Sequence, residues 1–223
     1  MKHYSFLKTL SLACALICAQ FAFAEPANLG LLTQEVKAYH DSGTYEKELT
    51  QTIVLAQQFI LEKAKANQKS PQPKKLAIVL DIDETSLSNY NKMASHNFGG
   101  NKKIWHREIM AADSPAIQPM LALYQQALKH GIAVFFVTGR REAERAPTIK
   151  NLEKAGYKGW SGLYLKPDNY DKASIIPFKA GTRASIAKSG YTIIASIGDQ
   201  HSDLTGGSAE KTFKLPNPYY FLP

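Results

Sequence analysis

The sequence predicts an α/β fold in which a parallel sheet carries helices on both faces. Three observations point to it. Short apolar runs alternate with stretches of helical period from Leu76 onward, and polar, reactive residues stand directly after three of those runs. The 223 residues suit one domain with a sizeable core and an accessory segment better than two domains.

At the N-terminus, Lys2 and Lys8 precede the apolar run Leu10 to Cys18, and Ala22-Phe23-Ala24 precedes Glu25. This is the pattern of a secretory signal peptide, residues 1–24, cleaved between Ala24 and Glu25. The run is shorter than the roughly 20 residues a membrane span requires. Cys14 and Cys18, the two cysteines of the chain, lie inside the leader, so the mature chain is exported without disulfides. A lipid-attachment cysteine needs an aliphatic residue three positions upstream and a small residue just before it. Cys14 has Ser11 upstream and Cys18 follows Ile17. The expected product is a soluble periplasmic or secreted protein with no membrane anchor.

Ile53, Ala56, Gln57, Ile60 and Ala64 fall at helical spacings and predict a helix over Tyr45–Ala66 that packs on the main domain. Asp41, Ser42 and Gly43 supply its start, because small polar groups satisfy the free amides of a first turn. Asn67 to Lys75, with Pro71 and Pro73, reads as a linker. The alternation then runs through Leu76–Leu80, helix Ile117–Lys129, Ile132–Val137 and helix Arg141–Ala155. It continues with Gly162–Leu165, helix Lys179–Lys188, Thr192–Ile197 and Thr212–Leu215.

A composition of 44% hydrophobic and 21% charged residues excludes wholesale disorder. The formal charge of +8 falls to +6 without Lys2 and Lys8 and attracts anions. The basic residues are scattered and cluster no further than pairs such as Lys74-Lys75, Lys102-Lys103 and Arg140-Arg141, with no zinc-finger or RNA-module signature, so a nucleic-acid polymer is not the expected partner.

In such sheets ligands bind beyond the carboxyl ends of the strands. Those positions hold Asp81-Ile82-Asp83-Glu84-Thr85, then Thr138-Gly139-Arg140, then Gly198-Asp199-Gln200-His201-Ser202-Asp203. Two aspartates at i and i+2 repel each other at low dielectric, and a divalent cation resolves the repulsion. Asp199 and Asp203 add the oxygens that a hard ion such as Mg²⁺ prefers.

These motifs resemble the haloacid dehalogenase (HAD) superfamily, whose phosphatases carry Asp-x-Asp after strand one, Ser or Thr after strand two, a Lys, and an acidic pair after strand four. More narrowly, Gly43-Thr44-Tyr45-Glu46-Lys47-Glu48, Phe178-Lys179, Gly190-Tyr191 and Phe213-Lys214-Leu215-Pro216-Asn217-Pro218 are similar to subfamily IIIB, the plant acid phosphatase and vegetative storage protein group with its secreted bacterial relatives. The resemblance runs from about Tyr39 to the C-terminus. It implies a three-layer Rossmann-like fold over 25–223, with a small, mostly helical cap contributed by about 30–70 and 86–115.

The resemblance further implies a secreted, Mg²⁺-dependent acid phosphatase acting on small phosphate monoesters. Asp81 would attack phosphorus and bind the metal through its other oxygen. Asp83 would protonate the leaving alcohol, activate water, and hold the metal by its backbone carbonyl. Thr138 and the Gly139 amide would bind the phosphoryl oxygens. Lys179 is chosen over Lys188 as the positive clamp because it matches the family's order. Asp199 would be a metal ligand, and Asp203 a direct or water-mediated one that also orients Lys179. Arg140 is left between phosphate and an ion pair, His201 is given no role, and Tyr90, Phe98 and Trp105 either pack the cap or stack on a leaving group. The same residues also suit a narrower nucleotidase or a phosphotransferase. A non-catalytic storage protein would lack the nucleophile, and Asp81 is present. A homo-oligomer is compatible with all of these.

Overall fold

The computed structural model describes residues 26–222, so the expected leader and its cleavage site lie outside the described residues. Among the described residues, 26–34 fall in one compact unit and 35–222 in a second. Helix α1 (Leu29–Asp41) begins in the first. No helix among the described residues is long and apolar enough to cross a membrane.

The second unit is built on five parallel strands: β1 (Lys75–Leu80), β2 (Ala133–Arg141), β3 (Gly162–Lys166), β4 (Tyr191–Gly198) and β5 (Lys211–Lys214). Their spatial order is β3-β2-β1-β4-β5, with β1 in the middle. After Lys75, β1 reads Leu-Ala-Ile-Val-Leu and is buried throughout, because a central parallel strand faces core on both sides.

Alternate residues serve the two faces. Ile78, Leu80, Val134 and Phe136 join a core with helices α2 (Thr44–Gln68) and α5 (Gln118–Lys129) through Leu49, Ile53, Ile60 and Leu123. Ala77, Val79, Phe135 and Val137 meet Ile186 of α7 (Ile176–Lys188) on the other. The result is three layers, helix, sheet and helix. Between β1 and α5 lie two short helices, α3 (Tyr90–Ser95) and α4 (Lys102–Ala111). The two stretches from which a cap is expected thus differ in position: 44–68 lies along the sheet, whereas 86–115 contains α3 and α4, with α4 packed near α6 (Arg145–Lys154).

Three local expectations are modified. Helix α2 starts at Thr44 without the side-chain cap expected from Asp41 or Ser42; its N-cap is Gly43 at φ 80°, a left-handed conformation that glycine adopts without steric cost. Asp41 instead ends α1 and accepts the Tyr90 hydroxyl at 2.7 Å. The helix expected from Arg141 begins at Arg145, because β2 runs on to Arg141 past an irregularity in its pairing with β3 after Thr138. Helix α7 opens at Ile176, with Pro177 in its first turn where no amide is missed. The linker after α2 is stapled by Asn67, whose amide donates to the Lys74 carbonyl (2.9 Å) and accepts the Lys74 N–H (2.8 Å).

Candidate active site

The ends of β1, β2 and β4, the first turn of α7 and the segment after β5 converge on one pocket. Asp81 continues the β1 ladder, its N–H donating to the Ile197 carbonyl at 3.1 Å. The chain then doubles back: the N–H groups of Ser86 and Leu87 both reach the Ile82 carbonyl at 2.8 Å, and Glu84 adopts φ 55°. This tight turn explains why Asp81 and Asp83, two residues apart, address different partners.

Asp81 is 5% exposed and its Oδ1 accepts from Lys179 Nζ at 2.8 Å. Lys179 also donates to Asp203 Oδ1. Carboxylate oxygens of Asp81, Asp199 and Asp203 lie within 4.8 Å of one another, and all three residues are buried. Burial, and next the charge of Asp203, raise the Asp81 and Asp199 carboxyls above the usual carboxylate range. Burial alone would lower the Lys179 ammonium; Asp81 and Asp203 outweigh it and keep the lysine charged. One lysine among three buried carboxylates leaves negative charge in excess. Oxygen donors of this kind, so close and under-compensated, fit a hard divalent cation such as Mg²⁺.

Asp83 belongs to a separate pair. Arg140 grips it as a fork, Nε to Oδ2 at 3.0 Å and Nη2 to Oδ1 at 2.7 Å, while Asn89 Nδ2 donates at 2.9 Å. The arginine side chain is 2% exposed and the aspartate 26%. Burial would raise the Asp83 carboxyl, but the Arg140 charge and hydrogen bonds overcome it and hold it below the usual range. The open alternatives for Arg140 thereby resolve into a partly buried, bidentate ion pair. Burial and the charges of Asp83 and Asp199 push Glu84 up to about 8.

Thr138 is fully buried at the end of β2, its Oγ1 accepting the Arg140 N–H at 3.1 Å. Gly139 follows it, and a Cβ there would come within 3.3 Å of Leu222 Cδ2. Lys188 is exposed, unlike Lys179 at 2%. His201 is exposed as well. Tyr90, Phe98 and Trp105 pack against the main core, Phe98 stacking on Tyr219 at 5.5 Å.

Several residues beyond the sequence-derived set hold this geometry. Asp199 accepts from Thr85 Oγ1 (2.9 Å), Gln200 Nε2 (2.8 Å) and Asn217 Nδ2 (2.7 Å). The Asp203 carbonyl accepts from Ser196 Oγ and from Arg183 Nη1, both at 2.8 Å. Arg183 is 1% exposed and lies one helical turn after Lys179 on the same face of α7. Gly198 is required sterically, since a Cβ there would overlap the Asp203 side chain. Gln200 Oε1 accepts the Leu222 N–H at 3.1 Å, fastening the segment after β5 beside the pocket.

The family described as HAD superfamily, subfamily IIIB (Acid phosphatase) matches residues 5–223. Acid phosphatase 1 of Solanum lycopersicum is 35% identical over 148 residues, 65% of this chain and 58% of that protein. Vegetative storage protein 2 of Arabidopsis thaliana is 34% identical over 149 residues, 65% of this chain and 56% of that protein. The matches thus span a little under three fifths of these relatives. Among solved structures, the class C acid phosphatase from Bacillus anthracis superposes with a TM-score of 0.69 at 22% identity, covering 86% of each chain, a likeness of fold.

Proposed function

The chain belongs to the HAD superfamily, subfamily IIIB, and from that membership we propose that it is a secreted acid phosphatase that hydrolyses phosphate monoesters through a phospho-aspartyl intermediate on Asp81. One observation carries the reading: Asp81 sits in a buried carboxylate cluster with a single lysine, while Asp83, two residues on, is turned to Arg140. Identical side chains in unlike surroundings suit unlike tasks.

In the first step the unshared Asp81 oxygen attacks phosphorus, the bond to the alcohol oxygen breaks, and Asp83 gives that oxygen its proton. In the second, Asp83 takes a proton from water, whose oxygen displaces Asp81 and releases inorganic phosphate. Arg140 keeps Asp83 in its base form at rest. The arriving ester's negative charge raises the proton affinity of Asp83 and prepares it to act as the acid. Lys179, Thr138 and the Gly139 amide bind the phosphoryl oxygens where charge accumulates. Asp81, Asp199, the Asp83 carbonyl, and Asp203 directly or through water would hold Mg²⁺, which would supply neutralising charge beside the phosphoryl group.

The test is release of inorganic phosphate from mononucleotides, sugar phosphates and aryl phosphates, with and without Mg²⁺ and with an added alcohol acceptor. Hydrolysis that needs the metal and fails in Asp81→Asn is expected. Equal turnover by wild type and Asp81→Asn would refute the proposal.

A further inference from the structure

Beside the catalytic pocket, on the β3 side, positive charge gathers without the acids that would ordinarily accompany it. Arg141 and Lys166 are register partners at the carboxyl ends of two adjacent parallel strands. Like charges facing each other across a ladder destabilise it. Lys102 and Lys103 occupy the first turn of α4, which contains no acidic residue. A helix N-terminus already carries positive partial charge, so lysines there oppose the dipole.

The acids nearby are committed elsewhere. Glu144 accepts from His106 Nδ1 (2.9 Å) and the Arg141 N–H (2.8 Å). Asp168 accepts the Ala143 N–H at 3.1 Å, and Glu142 pairs with Arg145. Among the described residues, the side chains of Lys102, Arg141 and Lys166 have no carboxylate partner. Lys166 is half-buried, and its charge is disfavoured first by burial, then by Arg141, with Lys102 and Lys179 adding to the repulsion and Glu144 alone opposing it. Charge arranged against local stability in three elements, all around one flank of a pocket, marks a place where an anion would relieve the repulsion.

We propose that Arg141, Lys166 and Lys102 form a second anion-binding site on the flank of the catalytic pocket, which takes a carboxylate or second phosphate carried by the alcohol part of the substrate. The inference rests on the phosphatase reading of the Asp81 pocket and narrows its substrate class to phosphate monoesters with a second anionic group.

The test compares 3-phosphoglycerate with glycerol 3-phosphate, esters of similar size that differ by a carboxylate, with phenyl phosphate as a third substrate. Wild type is expected to favour 3-phosphoglycerate in kcat/KM by about tenfold or more, mainly through KM, with the preference shrinking as salt rises. Lys166→Gln and Arg141→Gln should each cut the ratio several-fold, Lys166→Glu should reverse it, and Lys166→Arg should keep it, which separates lost charge from a damaged fold. A wild-type ratio near one, or a ratio unmoved by Lys166→Glu, would overturn the proposal. Competition by free inorganic phosphate with no preference between the two esters would do the same, since the site would then serve a free ion. Absence of turnover on all three substrates would instead bring down the phosphatase reading, and this inference with it.

Discussion

Asp83→Asn separates the two halves of the proposed chemistry. The substitution keeps the side-chain volume, and the new amide oxygen can still take one arm of the Arg140 fork, whose two arms now reach the two carboxylate oxygens at 2.7 and 3.0 Å. What is lost is the other arm, because an amide nitrogen cannot accept, and the ionic part of a pair whose aspartate is 26% exposed. Removing one partner of a fully buried pair costs about 3–5 kcal/mol, and solvent at Asp83 reduces that to about 1–2 kcal/mol, so the variant should remain folded. Catalysis should fall far more. Loss of the acid and base is worth about 10² to 10⁴-fold, but the acid matters only when the departing oxygen needs a proton. An alkyl phosphate should suffer the full penalty. A nitrophenyl phosphate should still transfer its phosphoryl group to Asp81, after which water attack without a base becomes limiting. Stopped-flow absorbance should show a burst of one nitrophenol per enzyme followed by slow turnover, and the trapped phosphate should map to Asp81 in a peptide digest. Equal losses on both substrates with no burst, or a phosphate found on another residue, would refute the division of labour.

Gly198→Ala should cost about 1–3 kcal/mol by overpacking and disable turnover, because the new methyl group takes the space of the Asp203 side chain; urea unfolding together with phosphate release checks both. A chelator should abolish activity and Mg²⁺ restore it, with Asp199→Asn raising the Mg²⁺ concentration for half-activity more than Asp203→Asn does, as read by titration. Arg183→Met should loosen the 203–207 turn, whose carbonyls at Asp203 and Gly207 it now binds, and faster amide exchange there with weaker turnover is the expected result. Intact mass of the exported protein should correspond to a chain beginning at Glu25.

The strand ends were legible because apolar runs stop abruptly at Asp81, Thr138 and Asp199, and the sheet rule then says where chemistry gathers. Lys179 came from motif order, and its 2.8 Å contact with Asp81 has a simple basis in the opening of α7 beneath the pocket. Arg140 was ambiguous, since a sequence does not say whether a cation beyond a strand turns to solvent or inward; the irregular pairing of β2 after Thr138 accompanies its inward course to Asp83. Arg183 was missed although it lies four residues after Lys179, because a lone basic residue on a helix reads as solvated unless Thr182 and Ile186 are seen to mark a buried face. Gln200 and Asn217 escaped for a different reason. Their importance depends on the path of the chain after β5, which no local pattern encodes.

That path has a consequence for timing. Asn217 bonds Asp199, and the Leu222 amide bonds Gln200, so the pocket begun at Asp81 is closed by residues synthesised some 140 positions later. A nascent chain has Asp81 long before it has a finished pocket. The polar network around Asp199 therefore forms only when β1, β4 and the segment after β5 are all in place.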